Sequence, residues 1–294
     1  MADHVVANLA VVIGGSLLVV ALVMAVAVVG GRRSGRVSGV DAAWGLGFVL
    51  VAAWSALAGD GDLVRRLLLL VLVATWGLRL TGHVWRRNRG AGEDPRYAEL
   101  LADAPGGRFA AALRRVYLPQ GLAIWFVSLP VQVSAAVGPG SRLVLALGVL
   151  VWAVGFAFET VGDAQLRAFK ADPRNRGRVM DRGVWGWSRH PNYFGDACVW
   201  WGTYVVAASA WPGATTLLSP VVMTYFLVRV TGVRLLEQRM SGRPGYAEYR
   251  ARTSAFLPAH LPRVGPAEGR IHAGRRRVPV MSHPFSRAGA NSWA

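Results

Sequence analysis

Cysteine, lysine and acidic residues are scarce in this chain of 294 residues. The single cysteine, Cys198, excludes an internal disulfide and with it a disulfide scaffold. Lys170 is the only lysine among 33 basic residues, and 16 residues are acidic, which leaves a formal charge of +17. Charged residues of both signs make up 17% of the chain, against 53% hydrophobic, and the mean hydropathy is +0.34. That balance excludes a disordered chain. The stretch 5–31 runs 27 residues with no Asp, Glu, Lys or Arg. A helix crossing a bilayer core needs roughly 20 apolar residues, and several later runs approach that length. A soluble nucleic-acid binder is therefore excluded despite the basic charge, and no nucleic-acid partner is expected. No strand leads into a GxGxxG turn, so a Rossmann domain is excluded as well.

What is present is a series of apolar runs of helical length. They predict an all-α polytopic membrane protein with about seven transmembrane helices, over 5–30, 40–57, 67–84, 116–137, 143–158, 194–211 and 214–230. Residues 1–260 are expected to form this membrane domain, and 261–294 a basic, disordered tail able to touch anionic lipid. Only Arg65, Arg66 and Arg142 of the 33 basic residues fall in the alternate loops. The positive-inside rule then places the N-terminus outside and the C-terminus in the cytoplasm. The two long inner segments, 85–115 and 162–193, are where a site is expected, because connecting segments carry function while spans supply scaffold.

Ionisable groups within spans are costly and point to function. Asp41 opens the second span and reads equally as a helix-start carboxylate or as an inward-facing acid. Arg79 and His83 share one face of the third span, and Glu159, Asp163, Arg167 and Lys170 share one stripe where the fifth leaves the membrane. A dense basic run follows: Arg174, Arg176, Arg178, Arg182 and Arg189. Guanidinium groups bind phosphate, and groups such as Asp163 and Asn192 bind ribose hydroxyls or a carboxamide. No metal site is expected.

The run Arg189-His190-Pro191-Asn192-Tyr193-Phe194-Gly195, with Asp196 after it, resembles the steroid 5-alpha-reductase-like membrane family in its bacterial DUF1295 branch. Further matching pieces are Trp76-Gly77-Leu78-Arg79, the stretch 87–97, the stretch 169–178 and the stretch 237–258. The resemblance implies a seven-helix fold in the bacterial inner membrane, NADPH held by cytosolic loops, and a lipid-like substrate taken from the bilayer. Matched by position, the cofactor-binding residues are Asn88, Asp163, Lys170, Arg178, Asn192, Asp196 and Arg229. In the animal enzymes a glutamate of span two and a tyrosine of span three polarise the substrate carbonyl. Here span two has no carboxylate between Trp44 and Phe48, and span three presents Trp76, whose indole can donate a hydrogen bond but no proton. Asp41 is the nearest acid, so Asp41 and Trp76 are the catalytic candidates. The expected activity is NADPH-dependent reduction of a C=C bond in a fatty-acyl, prenoid or steroid-like molecule. The alternative is S-adenosylmethionine-dependent methylation of a membrane lipid or prenylated thiol, since Arg-His-Pro-x-Tyr recurs in such methyltransferases. The density of phosphate-binding groups favours the reductase.

Overall fold

The computed structural model describes residues 2–90, 92–102, 107–230 and 232–259, which are almost entirely helical. Among them there is no strand, only an isolated parallel bridge between Ser188 and Ser254. The expected tail, 261–294, lies outside the described residues.

Three long helices come first. Helix α1, Ala2–Ser34, carries Asp3 in its first turn and Arg32 and Arg33 in its last, charges that suit the helix dipole. Helix α2, Val40–Ala58, follows after a short turn, and α3, Leu63–Asn88, starts where the Asp62 side chain accepts the Arg65 N–H. Two short helices, α4 (Pro95–Leu101) and α5 (Arg108–Ala112), precede a π-helical turn, Leu113–Tyr117. Next come α6, Leu118–Val127, and α7, Leu129–Ala135. Helix α8, Arg142–Ala171, is followed by the loop that leads into α9, Pro191–Ala207, where Pro191 occupies the first helical turn. The chain closes with α10 (Leu218–Tyr225), a second π-helical turn (Phe226–Val230), α11 (Val233–Met240) and α12 (Tyr246–Arg252).

By length and composition five helices can cross a membrane, and six if the bent pair α6 and α7 counts as one span. Seven were expected. The difference falls at 194–211, where α9 has 17 residues and ends at Ala207. At 1.5 Å per residue it reaches about 25 Å, short of a bilayer core of roughly 30 Å. The bend between α6 and α7, 44°, falls at Ser128. There the Ser128 hydroxyl donates to the Ile124 carbonyl at 2.7 Å, and Gln132 Nε2 donates to the Trp125 carbonyl at 2.8 Å. The Gln132 side chain takes a carbonyl at the break, while the Ile124 carbonyl keeps its backbone bond from the Ser128 N–H at 3.1 Å and accepts the hydroxyl in addition.

Close helix pairing fixes the interior. Helices α8 and α9 share the most extensive contact in the fold, and glycine makes it possible: a methyl group at Gly195 would sit 2.5 Å from both the Glu159 nitrogen and the Gly155 oxygen. Helices α2 and α3 meet in the same way at Gly45 and Gly77. Between these two pairs the rings of Phe48, Trp76 and Trp200 pack together, with Trp76 and Trp200 edge-on at 5.3 Å between centroids. At the end of the bundle holding Asp62 and Ser141, Arg65 is 1% exposed and donates to Ser134 Oγ at 2.7 Å and the Gly138 carbonyl at 2.8 Å, clamping α3 to the end of α7. The other end carries the two long polar segments and most of the arginines.

Candidate functional site

Apart from Arg65 at the opposite end, the charges held between α3, α8 and α9 gather in one layer near the arginine-rich end. Arg79, on α3, forms ion pairs with Glu159 and, at 2.9 Å, with Asp163, both on α8. Their i, i+4 spacing lets one guanidinium reach both carboxylates. Glu159 also accepts the Trp76 indole N–H at 2.9 Å, and His83 lies 3.9 Å from Asp163. The Arg79 guanidinium stands 5.6 Å from the centroid of the Phe156 ring. From α9, Asp196 has Glu159, Arg79 and Asp163 as charged neighbours, while its Oδ1 is buried with no hydrogen-bond partner among the described residues. The sequence marks Arg79 and Glu159 as expensive charges but does not join them, because α3 and α8 are far apart along the chain.

A cationic rim lies around this layer. The charged neighbours of Lys170 are Arg87 and Arg243, from the end of α3 and the loop before α12. His83 has Arg87 and Arg167 close by in addition to Arg79, and Tyr193 has Arg87, Arg96, Asp163 and Asp196 as charged neighbours. Tyr193 therefore has charges of both the interior layer and the rim for neighbours.

A second cluster surrounds Asp41. Its carboxylate accepts the Tyr97 hydroxyl at 2.5 Å and pairs with Arg96 at 3.2 Å, with Arg87 at 3.9 Å. Gln120 Nε2 donates to the Tyr97 oxygen at 3.1 Å. Burial, and then the adjacent Asp41 carboxylate, hold the Tyr97 phenol well above its usual range. Nearby, Glu93 accepts the backbone N–H groups of Val37 (2.7 Å) and Ser38 (2.9 Å) and pairs with Arg108. Burial alone would raise the Glu93 carboxyl, but those N–H donors outweigh it and hold the group below the ordinary value.

The third cluster ties the motif to the C-terminal helices. Arg189 donates to Glu237 at 2.8 and 3.1 Å, to the Arg250 carbonyl at 3.1 Å and to the Thr253 carbonyl. Glu237 also lies 3.0 Å from His190 Nε2 and accepts the Tyr246 hydroxyl at 2.8 Å. Burial lowers His190 below 6.5 despite the Glu237 carboxylate. Burial and then the Glu237 bond push the Tyr246 phenol up to about 12.

The site residues expected from the sequence are thus divided. Asp163, which is buried, and Asp196, which is half-buried, belong to the interior layer, with Asn192 at the start of α9 and Lys170 on the rim. Asn88 bonds the Ser38 carbonyl at 3.4 Å, on the side of Asp41. Arg178 and Arg229 are exposed, and nothing places them beside the others. The two catalytic candidates are not in contact: Asp41 is engaged by Tyr97 and Arg96, whereas Trp76 is fully buried with its N–H given to Glu159. Tyr97, Glu159 and Arg79 complete these clusters. A tyrosine in a short helix of a polar segment gives no local signal of such a partnership.

A separate groove of about 740 Å³ lies between α1 and α2, lined by Val19, Leu22, Val26, Leu46 and Leu50 with Thr81 from α3. It is apolar and shares no residue with the charged layer.

Residues 11–253 match the family described as protein of unknown function DUF1295. The chain belongs to that family. A search of curated proteins and of solved structures found no match. The DUF1295 match runs from α1 through α12, so it takes in all three clusters.

Proposed function

We propose that this DUF1295 protein is an integral-membrane reductase that uses NADPH to saturate a C=C bond in a lipid-like substrate. The observation that carries the reading is the layering: carboxylates paired to Arg79 inside, and Lys170, Arg87, Arg167 and Arg243 around them. A phosphorylated, carboxamide-bearing nucleotide needs that combination, cations for its phosphates and acceptors or amides for the rest. S-adenosylmethionine has no phosphate and carries a cationic sulfonium, which such a rim repels.

The donor set therefore fits NADPH. Lys170, Arg87 and Arg243 would hold its phosphates, and Asp163 and Asn192 its hydroxyl or amide groups. Bound there, the cofactor supplies a hydride. Arg79 fixes Glu159 and Asp163 in place, so the acids are oriented before any ligand arrives. The Phe48, Trp76 and Trp200 rings make the adjoining interior apolar and exclude water from it. The apolar groove between α1 and α2 has the chemistry to accept an acyl or prenoid chain. The reading implies a bacterial inner-membrane protein with the arginine-rich end in the cytoplasm.

Calorimetric titration of the purified protein with NADPH and with S-adenosylmethionine tests it. Binding of NADPH alone supports the reductase. Binding of S-adenosylmethionine with none of NADPH replaces it with the methyltransferase.

A further inference from the structure

The interior layer holds more carboxylate than it can neutralise. Glu159, Asp163 and Asp196 face a single guanidinium, Arg79, with His83 at the margin, its side chain 26% exposed. Taking an unpaired charge into such an interior is prohibitive, and a group so placed neutralises instead. Two of the three acids have partners suited to an anion. Glu159 takes the Trp76 N–H and the Arg79 pair, and Asp163 takes a 2.9 Å bond from Arg79. Among the described residues Asp196 has neither a hydrogen-bond donor nor an ion pair, and although the residue as a whole is half-buried, its Oδ1 is fully buried without a partner. One turn along the same face of α9, the indole N–H of Trp200 is likewise unpartnered in a side chain that is 1% exposed.

We propose that Asp196 is held as the neutral acid and supplies the proton that the reduction consumes. The donor role rests on the reductase reading above, whereas the protonation rests on the geometry of α3, α8 and α9 alone. In the step, hydride from the reduced nicotinamide forms one new C–H bond. The alkene π pair takes the Asp196 proton and forms the other. The alkene is reduced, the nicotinamide oxidised, and Asp196 is left as a carboxylate. Arg79 is the cation among the charged neighbours of that new carboxylate, with Glu159 and Asp163 from α8 beside it, and the carboxylate recovers its proton from solvent. Tyr193, one turn earlier on α9, has Asp196 as well as Arg87 and Arg96 among its charged neighbours.

Infrared difference spectroscopy of the full-length protein in nanodiscs, comparing H2O with D2O, reads the carbonyl stretch of a protonated carboxylic acid. At neutral pH the wild type should show one such band, Glu159→Gln should keep it, and Asp196→Asn should lose it. A band that survives in Asp196→Asn, or none in the wild type, overturns the assignment. Thermal unfolding gives a second measure, because an amide mimics the neutral acid. Asp196→Asn should keep the wild-type midpoint, while Glu159→Gln lowers it; an equal fall in both overturns the proposal. For turnover, Asp196→Asn should lower kcat by roughly a hundredfold, with Asp196→Glu restoring part of it. Unchanged kcat in Asp196→Asn overturns the donor role. A wild type that oxidises no NADPH overturns that role together with the reductase reading, and the infrared band then decides the protonation by itself.

Discussion

Arg189 and Glu237 stand 48 residues apart in sequence and form a two-bond pair at 2.8 and 3.1 Å. The guanidinium also takes two backbone carbonyls near the C-terminal end of α12, so its donors are committed to holding that segment. The Arg-His part of the motif is therefore a fastening, and the groups that face the interior come after it, on α9.

Breaking that fastening should be costly. Arg189 is 9% exposed and Glu237 18% exposed as side chains, so Glu237→Ala leaves a nearly buried guanidinium without its counter-charge. The expected loss is about 3 kcal/mol, the low end for a broken buried pair because Glu237 retains some solvent. Glu237→Gln keeps the hydrogen-bond shape and should lose less. Thermal unfolding of the purified variants in one detergent checks both, and equal midpoints for Glu237→Ala and the wild type would show that the pair does not support the fold.

Arg79 links α3 to α8, and the loss depends on which partner is removed. Arg79→Leu strands Glu159 and Asp163 and should destabilise by about 3–5 kcal/mol. Arg79→Leu with Glu159→Leu removes charge from both sides and should recover much of that loss. A double-mutant cycle with strictly additive effects would mean that the two residues are not coupled.

The His190 environment sets a pH dependence. Burial holds its folded value below 6.5, with Arg189 opposing the proton and Glu237 favouring it. A base with a lowered folded value binds its proton more readily once unfolded. Stability is therefore intact above 6.5 and falls as pH drops from there toward the folded value, below which the loss levels off. His190→Gln should flatten that slope. Unfolding midpoints across this range, for wild type and variant side by side, decide it, and parallel curves would assign the acid sensitivity to other groups.

The helices were legible in the sequence because apolar runs of bilayer length announce themselves, and the first three expected spans begin and end near the observed helices, whereas α8 runs on to Ala171, well past the expected end at 158. The short α9 was less legible, since hydropathy continues past Ala207 where the helix stops. Asp163 and Asp196 could be read from the motif, but the Arg79 pairs could not. Periodicity shows which residues share one helix face and says nothing of which helix lies opposite. Tyr97 and Glu237 lay in polar segments, where an aromatic or an acid is unremarkable until the chain folds back upon α2 or the motif.

Small residues at the α8 and α9 contact should be intolerant in a position-specific way. Gly195→Ala forces a methyl group into the backbone of Gly155 and Glu159, at 2.5 Å from each, and overpacking of this kind costs about 1–3 kcal/mol or more. Gly82, in α3, has nothing within 4 Å of an added Cβ, and Gly82→Ala should be neutral or stabilising by about 0.5–1 kcal/mol through its helix propensity. Comparison of the two midpoints tests this, and a tolerated Gly195→Ala would mean that the helices can separate without loss.

Lys170 tests the cationic rim. Its charged neighbours are Arg87 and Arg243, so without an anion the three repel one another. Lys170→Ala should then leave the free protein slightly more stable and yet bind NADPH about tenfold more weakly, the loss of one charge-assisted contact. Arg178→Ala, at an exposed position beside Asp172, should alter affinity by no more than about twofold if the rim is the phosphate site. The matched cofactor positions make a different prediction, because they place Arg178 on the nucleotide as well as Lys170. Titration of both variants with NADPH, and unfolding with and without it, separates the two: a stronger effect at Arg178 would mean that the loop holding it folds over the nucleotide and that the rim is only a consequence of membrane orientation.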